Sequence, residues 1–358
     1  MASFADITPF PDDVPTATLP RLSLNKLVNG DCDESERLFE ACRDLGFFYL
    51  DLEDHEQGMK LLRIVDGIFA KSDALFDMSI EEKQKHRLIT RYKPFGGTIT
   101  DRTGAADRCE FLDIANSAVL PDLDSDTPGD ALTNSRSDFK DFVVTAHLTA
   151  ESIMERIDET LHLPRGTLAK LHRLEQPGGS QARIAKFPSQ LAADRRVSFF
   201  PHTDFGTLTI LFNRLGGLQI LPPPADATWR YVRPIPGHAI VNLGDAMVKF
   251  TGSLMRSALH RVTYGPGAQA EQTRYSLGYF LRPEDCVILK RLEGSDVIPH
   301  PTPGEVSSDE ALSSKEWLER RFSSIRHDSF EPEKWQQTRG TETQSQLDVL
   351  YYCDQRTS

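Results

Sequence analysis

The chain has 358 residues, with 41 lysines and arginines against 53 aspartates and glutamates and a formal net charge of −12. That length can bury a large core within one decorated domain, and an acidic balance without clustered cations excludes nucleic acid and acidic membrane surfaces as electrostatic partners. The five cysteines, Cys32, Cys42, Cys109, Cys286 and Cys353, form no Cys-x-x-Cys pair and there is neither a leader nor a bilayer-length apolar run, so a reducing, cytosolic location is expected.

After a Pro-rich lead ending at Pro20, the spacing of Leu38, Ala41, Cys42 and Leu45 predicts a helix over 32–45, closed by Gly46. Residues 47–52 read as a strand, and Leu61, Leu62, Val65, Ile68, Phe69, Ala70 and Leu75 predict one long helix over 56–77. Ser79 and Glu82 form a capping box that opens a short charged helix. A long loop is expected over 91–109 around Gly96 and Gly97, and a flexible insertion over 122–137. Two further helices are predicted over 138–161 and 165–174. From 181 to 290, short runs of Val, Ile, Leu, Phe and Tyr alternate with Gly, Pro and Asp turns, the signature of a sheet-rich core. Ser313 and Glu316 cap a last helix over 315–326, and 336–346 is a polar tail expected to be mobile. The expected organisation is a helix-rich region over 1–175, a β-core over 176–290 and a C-terminal helix and tail over 291–358.

Within the β-core, His202 and Asp204 stand two apart in an extended stretch and so share a face. His260 lies in a second β-like run, Ala258 to Tyr264, as expected if paired strands bring the three together. Two imidazoles and one carboxylate leave open positions on an octahedral ion, the arrangement of non-haem Fe(II) oxygenases, whereas a closed structural zinc site needs a fourth ligand. Arg274 and Ser276 repeat the two-residue spacing, and a guanidinium beside a hydroxyl suits a buried carboxylate, such as the far end of a 2-oxo diacid whose other end chelates the iron.

These residues, with the Asn242-Leu243-Gly244-Asp245 turn and the Cys42 to Tyr49 segment, resemble the 2-oxoglutarate and Fe(II)-dependent dioxygenases, specifically the isopenicillin N synthase-like branch, over roughly 19–282. The resemblance implies a mixed α and β fold, a double-stranded β-helix or distorted jelly roll with helices packed outside it. It implies Fe(II), 2-oxoglutarate and O2 as cofactor and co-substrates, His202, Asp204 and His260 as metal ligands, and Arg274 and Ser276 as the 2-oxoglutarate clamp. The implied chemistry oxidises an unactivated C–H bond of a small metabolite, by hydroxylation, desaturation or rearrangement, and releases succinate and carbon dioxide without a separate protein acid or base. One departure is Phe187, which stands where members often place a tyrosine whose hydroxyl helps hold a carboxylate.

Two other readings stay open: an oxidase of the isopenicillin N synthase kind that does not use 2-oxoglutarate, and a non-catalytic barrel that only binds. Strand parity puts Ser198, Phe200, Gly278 and Phe280 on the ligand face. Family analogy makes the loop carrying Arg91, Tyr92, Phe95, Thr98 and Arg102, with Phe111 beyond it, the lid, and its aromatics interleaved with arginines suit a small, partly apolar, anionic or oxygenated metabolite. Tyr92, Phe95, Thr98, Phe111, Phe200 and Phe280 are therefore the substrate-contact candidates, with Tyr351 and Tyr352 as further closing groups. Arg183 reads as half of a structural ion pair, Asp245 as a turn residue, and His238 as a turn histidine away from the metal. The remaining histidines, His55, His86, His147, His162, His172, His300 and His327, read as core or surface residues. A small molecule is the expected partner, and the oligomeric state stays open.

Overall fold

The computed structural model describes residues 7–100, 104–120, 131–223, 228–301 and 312–323. Arg102, Tyr351, Tyr352, His327, the polar tail over 336–346 and most of the 122–137 insertion lie outside the described residues.

The chain opens with β1 (Arg21–Ser23), α1 (Leu24–Val28), α2 (Cys32–Asp44) and β2 (Phe47–Asp51). Next come α3 (Glu56–Ala70), α4 (Ser72–Asp77), α5 (Ile80–Lys85), β3 (Arg91–Lys93), β4 (Glu110–Ala115), α6 (Asn116–Val119) and α7 (Arg136–Thr160). The remaining strands are β5 (Gln181–Phe187), β6 (Phe199–His202), β7 (Leu208–Asn213), β8 (Leu218–Ile220), β9 (Arg230–Tyr231) and β10 (His238–Leu243), then β11 (His260–Val262) and β12 (Arg274–Leu281). Between β10 and β11 lies α8 (Asp245–Phe250), and α9 (Ser314–Ser323) follows β12.

Eight strands form one sheet in the order β1-β2-β10-β7-β12-β5-β4-β3, and four form a second in the order β6-β11-β8-β9. The sheets face each other across a cavity lined from both, as a distorted jelly roll requires. The amino-terminal region does more than pack against this core, because β1 to β4 are strands of the larger sheet. Alternation along β7 divides its two faces: Leu208, Ile210 and Phe212 join the core beneath the helices, while Thr209 and Leu211 line the cavity. Over the outer face runs α7, whose Phe139, Phe142, Val143, Ala146, Ala150, Ile153, Met154 and Ile157 recur at helical spacing and are fully buried. Phe142 meets Phe212 and Tyr279 edge-on; burial of such a ring contributes on the order of 2–3 kcal/mol.

Three expected elements differ. The helix expected over 56–77 is two helices broken at Lys71, where Ser72 Oγ donates to the Ile68 carbonyl and competes with the helical ladder. The helix expected over 165–174 is reduced to a turn and one 3-10 turn at Ala169–Leu171. There Gly166 adopts φ 78° and the Asp158 carboxylate accepts the Leu168 amide at 3.1 Å, so a side chain from α7 captures a donor that would have helped build the helix. The loop expected over 91–109 begins as β3, paired with β4. The capping boxes at Ser79 with Glu82 and at Ser313 with Glu316 are both formed.

Gly46 ends α2 with φ 70° and its amide on the Ala41 carbonyl at 2.8 Å. A Cβ at Gly46 would stand 2.3 Å from the Arg256 carbonyl oxygen, so the backbone of the segment before β11 closes on this turn. Gly46→Ala is expected to cost more than about 1 kcal/mol from the left-handed conformation alone, with the clash adding to it. Urea denaturation checks this: an unchanged midpoint would show that the turn relaxes freely.

Candidate active site

His202 ends β6, His260 opens β11 opposite it, and Asp204 follows two residues after His202. Each imidazole is oriented by its own chain: Nδ1 of His202 donates to the Phe200 carbonyl at 2.9 Å, and Nδ1 of His260 to the Ala258 carbonyl at 3.1 Å. That leaves both Nε2 lone pairs facing inward. Each Nε2 lies 3.8 Å from Asp204 Oδ1, and the three donor atoms fall within 4.8 Å of one another. Among the described residues this is the one His, Cys, Asp and Glu cluster of that kind.

The other oxygen of Asp204 is occupied. Thr209 Oγ1 and Asn242 Nδ2 each donate to Oδ2 at 2.7 Å, and these two residues are cross-strand partners on β7 and β10. The Asp204 carbonyl accepts the Asp245 amide at 2.8 Å. Burial alone would raise the Asp204 carboxyl, but His260, His202 and the Asn242 and Thr209 donors outweigh it and hold the group below its ordinary value. Burial, reinforced by His260, pushes His202 well below the ordinary imidazole value, so its Nε2 is unprotonated at neutral pH. Two imidazoles and one carboxylate are the donor set a divalent iron takes.

Arg274 and Ser276 sit on β12 and face the same cavity, which encloses about 640 Å³ including its open mouth. Arg274 is 4 % exposed; its Nε donates to the Leu215 carbonyl at 3.3 Å, while Nη1 is buried with no hydrogen-bond partner among the described residues. Burial pushes it down to about 10, which still leaves a cation at neutral pH. Phe187 is its direct cross-strand neighbour, and the guanidinium carbon lies 4.8 Å from that ring centroid. Where a tyrosine would offer a hydroxyl, this chain offers a π-face that orients the guanidinium instead.

Of the substrate-contact candidates, Phe111 and Phe280 line the cavity. Tyr92, Phe95, Thr98 and Phe200 are placed outside its lining. Lys93 pairs with Phe111, so Tyr92, one position away, points to the other side and its hydroxyl donates to Glu110 at 3.0 Å. The loop after β3 closes on a buried carboxylate: Asp107 accepts the Thr98 amide at 2.7 Å, the Thr98 hydroxyl and Lys93 Nζ, which leaves Phe95 half exposed. Phe200 is displaced by a bulge. Between His260 and Val262 on β11, β6 runs from His202 to Phe199, one residue more, and Phe199 takes the cavity-facing place that parity assigns to its neighbours.

Residues far apart in sequence complete the walls, among them Phe47 of β2, edge-on to His260 at 5.5 Å, and Cys109. Asp245 is not confined to a turn; it opens α8, accepts the Thr203 hydroxyl at 3.0 Å and lies 3.2 Å from Arg321 of α9. His238 lies outside the lining, its Nδ1 on the Pro236 carbonyl. Arg183 lines the cavity and also forms an ion pair, with Nε and Nη2 on the two oxygens of Asp113 at 2.5 and 2.9 Å.

The 2OG-Fe(II) oxygenase superfamily profile matches residues 179–283, and the profile described as non-haem dioxygenase in morphine synthesis N-terminal matches 14–135. A 2-oxoglutarate-dependent dioxygenase of Aspergillus fumigatus is 33 % identical over 343 residues, covering 86 % of this chain and 86 % of that protein. The chain belongs to the 2-oxoglutarate-dependent dioxygenases. A second such dioxygenase, frbH of Dothideomycetidae sp., is 30 % identical over 87 % of this chain and 92 % of its own length. Among solved structures, a full-length Neurospora crassa protein crystallised in complex with alpha-KG superposes with a TM-score of 0.68 at 21 % identity, covering 87 % of this chain and 98 % of that one. JOX2 in complex with 2OG, Fe and JA gives 0.65 at 22 % identity over 94 % and 90 %. At those identities the likeness is one of fold, the double-stranded β-helix. As a dioxygenase of this family the protein is an oxidoreductase that uses Fe(II) and 2-oxoglutarate. No helix among the described residues is long and apolar enough to cross a membrane.

Asp113 is 1 % exposed and is shared by Arg183 and Arg91, the latter through Nε at 2.9 Å. Burial would raise it, but Arg183 and Arg91 bring it down to about 2. A folded value below the unfolded one stabilises the protein above about pH 4, and that contribution is lost as pH falls toward 2. Asp113→Asn is expected to destabilise the dioxygenase by about 3 kcal/mol at neutral pH, since it removes the buried carboxylate that pairs the partly buried Arg183 and Arg91. It should also flatten the acid limb of the stability curve. Chemical denaturation across that pH range checks both, and an acid limb identical to wild type would rule out Asp113 as its source.

Proposed function

We propose that His202, Asp204 and His260 hold Fe(II), that Arg274 and Ser276 hold the far carboxylate of 2-oxoglutarate, and that a small, largely apolar molecule is oxidised at an unactivated C–H bond against a wall built by Phe111, Phe199 and Phe280. The observation that carries this reading is the buried Arg274 Nη1, which has no partner among the described residues and belongs to a residue lining the cavity that also holds the triad. A buried guanidinium left unpaired is costly, and a carboxylate entering the cavity satisfies it with a charge-assisted bond. Residues 176–290 then serve as the catalytic core, with 1–175 supplying cavity walls and α9, within 291–358, packing beside it.

When bound, Fe(II) with 2-oxoglutarate and dioxygen supplies the oxidising power, and succinate and carbon dioxide leave. The chain's own part is positional. The Phe200 and Ala258 carbonyls fix the two imidazole tautomers, and Thr209 and Asn242 fix the carboxylate so that Oδ1 alone faces the histidines. The apolar lining keeps water from competing for the site and aims one C–H bond by shape. Hydroxylation, desaturation and rearrangement are the outcomes open to a substrate cut there.

Succinate formed per 2-oxoglutarate consumed, measured on ferrous-loaded protein with a metabolite screen, tests the reading. Asp204→Ala is expected to abolish iron binding and succinate release together, and retention of both would exclude the triad. Arg274→Ala should raise the KM for 2-oxoglutarate by about tenfold or more while iron affinity is unchanged. An unaltered KM would place the co-substrate elsewhere.

A further inference from the structure

Three arginines and three phenylalanines alternate in a closed ring, of which Arg183, Phe111 and Phe280 line the cavity. The Arg183 guanidinium carbon lies 3.9 Å from the Phe111 centroid and 4.9 Å from that of Phe280. Arg282 is 5.8 Å from Phe280 and 5.8 Å from Phe322 of α9. Arg91 closes the ring, 4.5 Å from Phe322 and 5.0 Å from Phe111. Asp113 pairs with Arg183 and Arg91, so the ring carries two cations beyond what this carboxylate balances. Asp204 also bears on Arg183 and Arg282, but the proposed metal claims its charge.

Two donors of the ring have no hydrogen-bond partner among the described residues. Asp113 takes Nε and Nη2 of Arg183, and Nη1 makes no hydrogen bond to any described residue. Arg282 gives Nη1 to the Gly179 carbonyl, while its Nε is buried without a partner among the described residues. Arg183, Phe111 and Phe280 all line the cavity. Along β5, Arg183 pairs with Gly278 and Phe187 with Arg274; those four residues separate the two arginines by roughly 13 Å of strand. Alternate residues share a face, so the cavity has a cation at each end, and Arg274 already serves the co-substrate.

We propose that Arg183, held in this ring beside Arg282 and Arg91, is the subsite for the anionic end of the primary substrate, and that this substrate is a small apolar molecule bearing a carboxylate. The inference rests on the dioxygenase site assigned above. A monoanion matches one guanidinium nitrogen, whereas a dianionic phosphate is poorly desolvated between aromatic walls. The phenyl rings on either side keep the guanidinium planes edge-on to an entering ligand and pack its apolar body.

The test is calorimetric titration of the Fe(II) and 2-oxoglutarate complex under argon with phenylacetate, cinnamate and indole-3-acetate, their methyl esters, and phenyl phosphate. An acid of this set is expected to bind about tenfold or more tightly than its ester. Arg183→Gln should erase that preference and leave the Kd for 2-oxoglutarate unchanged. Because Arg183→Gln orphans Asp113, the double variant Asp113→Asn with Arg183→Gln is measured beside it and should give the same result. Acids and esters binding alike, or none binding, overturns the subsite; preference for phenyl phosphate overturns the carboxylate assignment. If Arg183→Gln weakens 2-oxoglutarate and spares the acids, Arg183 belongs to the co-substrate instead. Absence of Fe(II) and 2-oxoglutarate binding in the wild-type protein overturns the underlying site and this inference with it.

Discussion

The register of β12 between β5 and β7 is the constraint on which the cavity depends. It sets Arg274 opposite Phe187, Ser276 opposite Ala185 and Asn213, and Phe280 opposite Thr209. A slip of one residue would carry Arg274, Ser276 and Phe280 to the helical side and drive Tyr275, Leu277 and Tyr279 into the cavity. Tyr279 shows how firmly the register is pinned. It is fully buried under α7, with Asn116 donating to its hydroxyl at 3.1 Å and His147 Nδ1 at 3.0 Å. A polar group buried there in any other register would lose both partners. The helical layer therefore acts on the cavity at a distance: it fixes the outer face of β12 and, through the pleat, the inner one.

Charge is distributed along the cavity with the same economy. The cluster of His202, Asp204 and His260 contributes one carboxylate, held by Thr209 and Asn242 so that a single oxygen faces the imidazoles. Arg274 contributes a buried cation with an unfilled donor. Asp113, in contrast, is saturated, and its two arginines are braced by the faces of Phe111 and Phe322. Buried charges of both signs are costly unless paired, and here those pairs stand at the edges of a ligand cavity. The α9 helix closes the far side through Phe322, through the Trp317 indole donating to the Phe205 carbonyl, and through Arg321 beside Asp245. The residue after Asp204 is thus tied to the carboxyl-terminal part of the chain.

Much of this was legible in the sequence because it is written in local spacing. The two-residue steps from His202 to Asp204 and from Arg274 to Ser276 place side chains on one face, and the structure brings all of them, with His260, to one cavity. The capping boxes and the helix over 32–45 were legible for the same reason. The long helix over 56–77 and the helix over 165–174 failed where a side chain took over a backbone group: Ser72 at the Ile68 carbonyl, and Asp158 at the Leu168 amide. The lid aromatics failed for a related reason, because Asp107 gathers Lys93 and Thr98 into a closed knot that turns Phe95 outward.

By itself, the sequence determined the chemistry available: two imidazoles, one carboxylate, one guanidinium and one hydroxyl, at strand periodicity, in a chain with one sheet-rich core. Only the tertiary structure decided which neighbours face them. The bulge in β6 that exchanges Phe199 for Phe200, the Asn242 and Thr209 pair behind Asp204, and the Arg183, Arg282 and Arg91 ring around Asp113 all join residues distant in sequence or break its parity. Periodicity encodes the side of a strand a residue faces. The partner it meets there depends on register and on long-range polar pairing, which arise only when the sheets close on each other.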